Sequence, residues 1–273
     1  MNYTCVNGKM VPANQPILFA DNRGYRYGDG LFETMKVLNK KICSVSYHFE
    51  RFFSGLKLLQ FEVPAHLDEA KLTERILVLC EKNQCDQLAR VRLSVSRGNG
   101  GLYEKPGFHY IIECWPANES VNQLNANGLV IGIYSDARKS SDAFSHLKSA
   151  NFLPYVMAAQ YARQHKLNDC LVFNHHDRIA DATIANLFLI KNNILITPPL
   201  SEGGVGGVMR KQLLEKCPVE EKPVTPTDVL DADEVFLTNA MNGIRWVKQC
   251  GDKLYGNTAT MKIYNEFVKT IWE

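Results

Sequence analysis

Residues 145–154 read SHLKSANFLP, with Lys148 set between a leucine, small residues and a phenylalanine. A lysine head ordinarily stays hydrated and protonated, with a pKa near ~10.4, and takes no part in covalent chemistry. In a confined, partly apolar setting it can lose its proton and act as a nucleophile. Taken alone, the stretch reads as a surface lysine ahead of a helix. Phe152, Leu153, Val156, Met157 and Tyr161 continue it with a helical period that runs out near His165. The remainder of the chain decides between the two readings.

Working outward, strand-like and helix-like segments alternate. YTCVNGKMV reads as a hairpin turning at Asn7-Gly8, and LFETMKVLNKKICSV as another turning at Asn39-Lys40. HFERFFSGLKLLQF and LTERILVLCEKN carry helical apolar stripes, and RVRLSVSRG and HYIIECW follow as strands. PANESVNQLNANG, residues 116–128, is polar and poor in large apolar side chains, which places a boundary there. Beyond it, LVIGIYS and CLVFN are strands, and ANLFLIKNNILITP is a hairpin with Asn192-Asn193 at its tip. SEGGVGGVMRKQLLEKC is a glycine-rich loop feeding a helix near Val208, DEVFLTNA and RWVKQ are late strands, and TMKIYNEFVKTIW is a closing helix. The pattern predicts an α+β protein of two lobes, 1–117 and 118–273, with Lys148 in the second.

Composition narrows the function. Of 273 residues, 45% are hydrophobic and 22% charged, which suits a globular protein and argues against disorder. A formal charge of +2, with acids and bases interspersed, leaves no footprint for nucleic acid and no basic membrane anchor. No apolar run approaches the ~20 residues a membrane span needs, and the first residues do not form a signal peptide. The eight cysteines lack any C-x-x-C pair and any zinc-like spacing with histidine, so free thiols, no metal and a reducing cytoplasm are expected. His175 and His176 are adjacent and read as a polar turn between strands rather than a metal pair.

Four further features could carry chemistry, each with a plainer alternative. Gly203, Gly204, Gly206 and Gly207 lead into a helix start, where exposed N–H groups and the helix dipole favour an anion; a flexible loop would look the same. Arg51, among the apolar residues of HFERFF, could grip a phosphate bidentately or snorkel to solvent. Asp181, in RIADATIAN, could pair with a cation or cap a helix beginning at Ala182. YRYGDG, residues 25–30, fits a turn lining a cleft or an ordinary tight turn. Together, a nucleophilic lysine, an arginine and a helix N-terminus for phosphate, and an acid for a ring nitrogen are the parts of a pyridoxal-phosphate site.

The same residues lie in blocks that resemble the class IV aminotransferases, the fold-type IV pyridoxal-phosphate enzymes. The blocks are VNGKMVP, DNRGYRYGDGLFETMKV, HFERF, SRGNGG, LKSANFLPYVMAAQYAR, RIADATIANLF, GGVGGVMRK and DADEVFLTNAMNGI, in the family's order and nearly end to end. The resemblance implies a D-amino-acid-aminotransferase-like architecture with the active site between the lobes, and pyridoxal 5′-phosphate as cofactor. It implies that Lys148 carries the cofactor aldehyde and acts as acid and base. Arg51, the loop Gly206–Met209 (Gly207, Val208 and Met209 foremost) and Asn239-Ala240 would hold the phosphate. Tyr27, Phe32, Lys36 and Arg97 would line the substrate pocket, with Lys36 or Arg97 on a substrate carboxylate. It further implies a homodimer acting on an amino-acid-type substrate.

Departures from the family pattern bear on the chemistry. Asp181 stands where the ring-nitrogen partner is usually glutamate, one methylene longer. Residue 240 offers a methyl where transaminases often carry a hydroxyl. VFLTNAMNGI, and SRGNGG with VGGVMR, lean toward 4-amino-4-deoxychorismate lyase, which releases pyruvate and leaves 4-aminobenzoate for folate synthesis. KSANFLPYV, and Leu102 where many lyases carry a second arginine, lean toward a branched-chain or D-amino-acid transaminase. A third reading is a relative that binds the cofactor but turns over little.

Overall fold

A computed structural model of the chain describes residues 2–272. It forms two compact units. The first runs to Glu119 and also takes in Lys148–Asn151; the second comprises Ser120–Leu147 and the chain from Phe152 onward.

In the first unit, Tyr3–Val6 (β1) and Lys9–Pro12 (β2) form the expected hairpin. Asn7 and Gly8 have φ of 48° and 84°, the two successive positive values that a tight primed turn demands. Arg23–Tyr27 (α1) occupies the YRYGDG region as a single helical turn. Asn22 caps its start by accepting from the Gly24 and Tyr25 N–H groups, and Gly28, at φ 65°, ends it. Gly30–Leu38 (β3) turns through Asn39 and Lys40 (φ 50° and 62°) into Lys41–Ile42 (β4). Val45–Leu58 (α2) and Glu69–Lys82 (α3) follow, then Leu88–Ser96 (β5) and His109–Pro116 (β6). The six strands are antiparallel, in the order β2-β1-β6-β5-β3-β4. Helix α2 buries Phe49, Phe52 and Leu56 and packs on β3, while α3 buries Leu72, Ile76 and Leu79 against β6 and β1.

The second unit is built on a nine-stranded mixed sheet. In chain order its elements are Leu129–Lys139 (β7), Leu153–Gln164 (α4), Asp169–Asn174 (β8), Ile179–Ala182 (β9), Asn186–Lys191 (β10), Ile194–Thr197 (β11), Val208–Lys216 (α5), Val219–Glu221 (β12), Pro226–Asp231 (α6), Glu234–Asn239 (β13), Gly243–Cys250 (β14), Lys253–Leu254 (β15) and Thr258–Ile263 (α7). The strand order is β12-β11-β10-β13-β14-β7-β8-β9, with β15 on β14. β7 runs parallel to both β14 and β8, and α4 makes the crossover from β7 to β8, packing on both. One face buries Leu171, Leu187, Leu189, Val235 and Val247. A second cluster holds Phe188 stacked on Phe236, with rings 4° from parallel.

Four sequence expectations change. Lys148–Asn151, assigned by sequence to the second lobe, belongs to the first unit: Phe32 N–H donates to Lys148 O (2.9 Å), Ala150 N–H donates to Gly30 O (2.9 Å), and Ser149 bridges to Leu31. Asp181 sits in β9 rather than capping a helix. The closing helix changes pitch, passing from α7 through a π turn (Tyr264–Val268) to a 3₁₀ turn (Lys269–Ile271), which lets Tyr264 and Val268 both bury. The scattered cysteines stay free thiols, but the sulfurs of buried Cys80, Cys85 and Cys114 converge within 4.8 Å. A structural zinc takes four protein donors, and this cluster offers three. His175 and His176 lie in the turn between β8 and β9 as expected, both outside the core.

Candidate active site

In the first unit, the hydrogen bonds on either side of Lys148 fix its backbone against β3, and its Nζ lies 4.4 Å from the centre of the Phe32 ring. Phe32 is buried, and its ring also takes the Arg92 guanidinium at 3.8 Å. An aromatic face stabilises a nearby cation while denying it bulk water. Lys148 is half-buried, with the Phe32 ring beside its amine.

Arg51 does not snorkel outward. From α2 it grips Glu33 of β3 with two hydrogen bonds, Nε to Oε1 at 2.7 Å and Nη2 to Oε2 at 2.5 Å. His48, one helical turn earlier, shares Oε2 at 2.7 Å. Burial alone would raise the Glu33 carboxyl; the Arg51 charge and the His48 hydrogen bond overcome it and hold the pKa at about 2. Burial lowers the His48 pKa below its ordinary value against the pull of Glu33. A neutral ring beside an ionised carboxylate must donate from Nδ1, and Nε2 is a buried atom without a partner. Neither Glu33 nor His48 stood out in the sequence; the signal was the i, i+3 spacing of His48 and Arg51 and the strand alternation around Glu33, common to many unremarked residues.

The residues assigned to the substrate pocket fall differently. Tyr27, at the end of α1, is 40% exposed and available. Lys36 is completely buried, as a β3 residue behind the sheet surface rather than a group reaching solvent. Arg97 donates to Asp29 and to the Leu59 carbonyl and covers the Phe61 ring at 4.2 Å. Asp29 also accepts from Arg23 at 2.9 Å, so Arg97 is tied into a structural cluster beside the Gly28 turn.

In the second unit, Asp181 is 2% exposed. Its Oδ2 accepts from the Tyr155 hydroxyl at 2.7 Å and from the Val205 N–H at 2.9 Å, and Lys139 Nζ stands 3.6 Å away. Its Oδ1 is buried with no hydrogen-bond partner. Burial raises the Asp181 pKa above the usual carboxylate range, and the Lys139 charge opposes that rise. Burial likewise lowers Lys139, with Asp181 pulling the other way. A buried carboxylate oxygen without a donor carries a desolvation cost that an incoming N–H would remove.

Beside this acid, Gly206 and Gly207 lead into α5. Gly206 N–H already donates to His146 O (2.9 Å), which removes it from the expected phosphate donors. Gly207 is the N-cap and has no side chain with which to cap. The first-turn N–H groups of a helix have no partner within the helix, so Val208 and Met209 retain donors for an anion. A Cβ on Gly207 would lie 1.9 Å from Asn186 Oδ1, and Asn186 in turn holds Val205 O at 2.7 Å. Gly207→Ala is accordingly expected to displace this loop and weaken binding of a phosphorylated cofactor by about tenfold or more. Fluorescence titration of the apoprotein checks it, and an unchanged dissociation constant would contradict the assignment. Asn239 folds the β13–β14 turn, its Oδ1 accepting from the Met241 and Asn242 N–H groups at 3.1 and 2.9 Å; Ala240 contributes only its methyl.

Within the second unit the donors suit a phosphorylated pyridine: a buried acceptor for a ring N–H and a helix N-terminus without a side-chain cap for the phosphate. When bound, such a group supplies an electron sink for charge developing beside a substrate amine.

The comparisons agree with this class. The family model for class IV amino-transferases matches residues 30–250. The chain is 29% identical to the aminodeoxychorismate lyase of Vibrio harveyi, over 82% of this chain and 83% of that protein. It is 24% identical to the D-alanine aminotransferase of Bacillus licheniformis, over 85% and 83% respectively. Among solved structures it is similar to the 4-amino-4-deoxychorismate lyase of Pseudomonas aeruginosa, with a TM-score of 0.81 and 26% identity over 96% of this chain and 98% of that one.

Fold and site thus define an enzyme dependent on pyridoxal phosphate. The chain belongs to the class IV aminotransferase family, whose members act on amino-acid substrates. Among the described residues no helix is long and apolar enough to cross a membrane.

Proposed function

We propose that this enzyme is a 4-amino-4-deoxychorismate lyase, with Lys148 as its reactive lysine, Arg51 and the α5 N-terminus as phosphate donors and Asp181 as the ring-nitrogen partner. The Asn239-Ala240 turn carries the choice. It supplies an ordered amide and a bare methyl where a transaminase would be expected to hold a hydroxyl, and it matches the lyase block in sequence. The identities to the two lyases above, 29% and 26%, point the same way.

In this reaction one proton leaves the ring carbon bearing the amine and the ether C–O bond to the enolpyruvyl group breaks. The ring becomes aromatic, and the enol takes up a proton to give pyruvate. No oxidant is required. Lys148 is the group proposed to take the first proton, its amine resting against the Phe32 ring and its backbone tied to β3. Glu33 fixes the plane of the Arg51 guanidinium, so a phosphate meets an arginine already oriented. Asp181 offers Oδ1 to the ring N–H.

A branched-chain or D-amino-acid transaminase is the second reading. KSANFLPYV favours it, as does the 24% identity to a D-alanine aminotransferase. Supplying aminodeoxychorismate and following pyruvate, beside D- or branched-chain amino acids with 2-oxoglutarate and following glutamate, separates the two. We expect pyruvate without amino transfer; glutamate formation without pyruvate would overturn the lyase assignment. The working unit is proposed to be a homodimer, which light scattering on the purified enzyme tests.

A further inference from the structure

We propose that Lys139 and Tyr155 are positioning residues that hold Asp181 ready for the cofactor's ring nitrogen and so let an aspartate do the work of a longer acid. The inference rests on the reading of Asp181 as the ring-nitrogen partner and goes beyond it by assigning two residues that the reaction itself does not use.

The direction of every hydrogen bond in this group is forced. Lys139 on β7 is an ammonium and can only donate, and it does so to the Tyr155 hydroxyl and to Gly203 O (2.5 Å). The phenol oxygen, having accepted from Lys139, has its own proton left to give, and it gives it to Asp181 Oδ2 (2.7 Å). The Val205 N–H adds a second donor to the same oxygen, and the Lys139 charge lies 3.6 Å from it. The relay runs one way, from cation through phenol to carboxylate, and saturates Oδ2. Oδ1 is left as the carboxylate's open acceptor.

Burial makes the arrangement specific. Asp181, Tyr155 and Lys139 are 2%, 4% and 9% exposed. An isolated carboxylate at such a depth would take up a proton and lose its charge. A protonated acid can itself donate, and it would no longer favour a protonated ring nitrogen. Lys139 supplies the positive charge that opposes this, while Tyr155 keeps the ammonium from collapsing directly onto the carboxylate. The backbone contributes as well: a Cβ at Gly204 would lie 2.6 Å from Ala180 O, so the segment bearing Val205 approaches β9 as closely as glycine permits. An acid one methylene shorter than glutamate has one rotor fewer, and here its far oxygen is pinned from three sides. Its reach is fixed by the relay rather than by its own length.

The test compares two aldehydes on apoprotein: pyridoxal phosphate and its analogue with a C–H in place of the ring nitrogen. Both share the phosphate and the aldehyde, so their affinity ratio isolates what the protein gains from the ring N–H. Lys139→Met is expected to shrink that ratio by about tenfold or more, the scale of a hydrogen bond to a charged group. Lys139→Arg should restore much of it. Tyr155→Phe removes one oxygen and keeps the ring packing; it should act in the same direction, and it carries the comparison should Lys139→Met fail to fold. A residue serving only stability would weaken both ligands together and leave the ratio unchanged, and that result in a folded variant overturns the proposal. Asp181→Asn separates the two levels. If it collapses the ratio while the Lys139 and Tyr155 variants do not, only the relay fails. If it too leaves the ratio unchanged, the reading of Asp181 fails with it.

Discussion

Lys148→Ala is expected to abolish turnover, with a loss on the order of 10⁴-fold or greater, the upper range for a single acid–base group. It should also leave no cofactor covalently retained after borohydride reduction. The fold should survive, because residue 148 is tied to β3 through main-chain atoms: Phe32 N–H donates to its carbonyl, and the flanking Ser149 and Ala150 bonds are also backbone. Truncating the side chain removes the amine beside the Phe32 ring. Two buried lysines elsewhere in the chain make the experiment discriminating. Lys36 is wholly buried, and Lys139 is committed to Tyr155 and Gly203 O. Peptide mapping of the reduced wild-type enzyme should find the label on residue 148. A label on Lys36 or Lys139, or none at all, would remove the covalent basis of the proposed function.

Glu33→Gln should produce the largest loss of stability, on the order of 3–5 kcal/mol, because it removes one partner of the buried ion pair with Arg51. The pH dependence provides an independent check. The Arg51 charge and the His48 hydrogen bond hold the folded-state pKa of Glu33 at about 2, below its ordinary 4.5. A depressed carboxylate contributes stability that is present above the unfolded pKa and is lost as pH falls through the folded one. Wild-type protein should therefore lose about 3 kcal/mol from this group between pH 4.5 and 2, and Glu33→Gln should flatten that limb. Denaturant titrations from pH 7 down to pH 2.5 measure it. Parallel wild-type and variant curves would mean that the pairing of Glu33 with Arg51 and His48 does not set the acid stability. The substitution should also weaken phosphate binding, since the guanidinium plane is set by Glu33.

Local chemistry was readable wherever its cause lay within a few residues. Asn7-Gly8, Asn39-Lys40 and Asn192-Asn193 predict turns, and all six residues have positive φ. The apolar stripes of α2 and α3 predict their buried faces, as Phe49, Phe52, Leu72 and Ile76 confirm. The relay behind Asp181 was not readable, because Tyr155 meets it across 26 residues and Lys139 meets Gly203 across 64. In sequence Lys139 is one more basic residue after Arg138, and Tyr155 one more aromatic in a helix. Cys80, Cys85 and Cys114 stay free thiols as expected, but their convergence was unreadable for the same reason: no spacing rule brings a helix, its exit loop and a distant strand to one point.

Family and cofactor were legible in the order of short blocks, and the proposal of a covalent lysine rests on the same blocks, since each encodes a turn, a helix start or a reactive group whose chemistry is local. Tertiary structure alone decided that Lys148–Asn151 packs with the first unit, that Arg97 is spent on Asp29 and Leu59, and that one oxygen of Asp181 is saturated while the other waits. Burial and hydrogen-bond saturation arise only when distant segments exclude water together, and no stretch of sequence read by itself records which segments those will be.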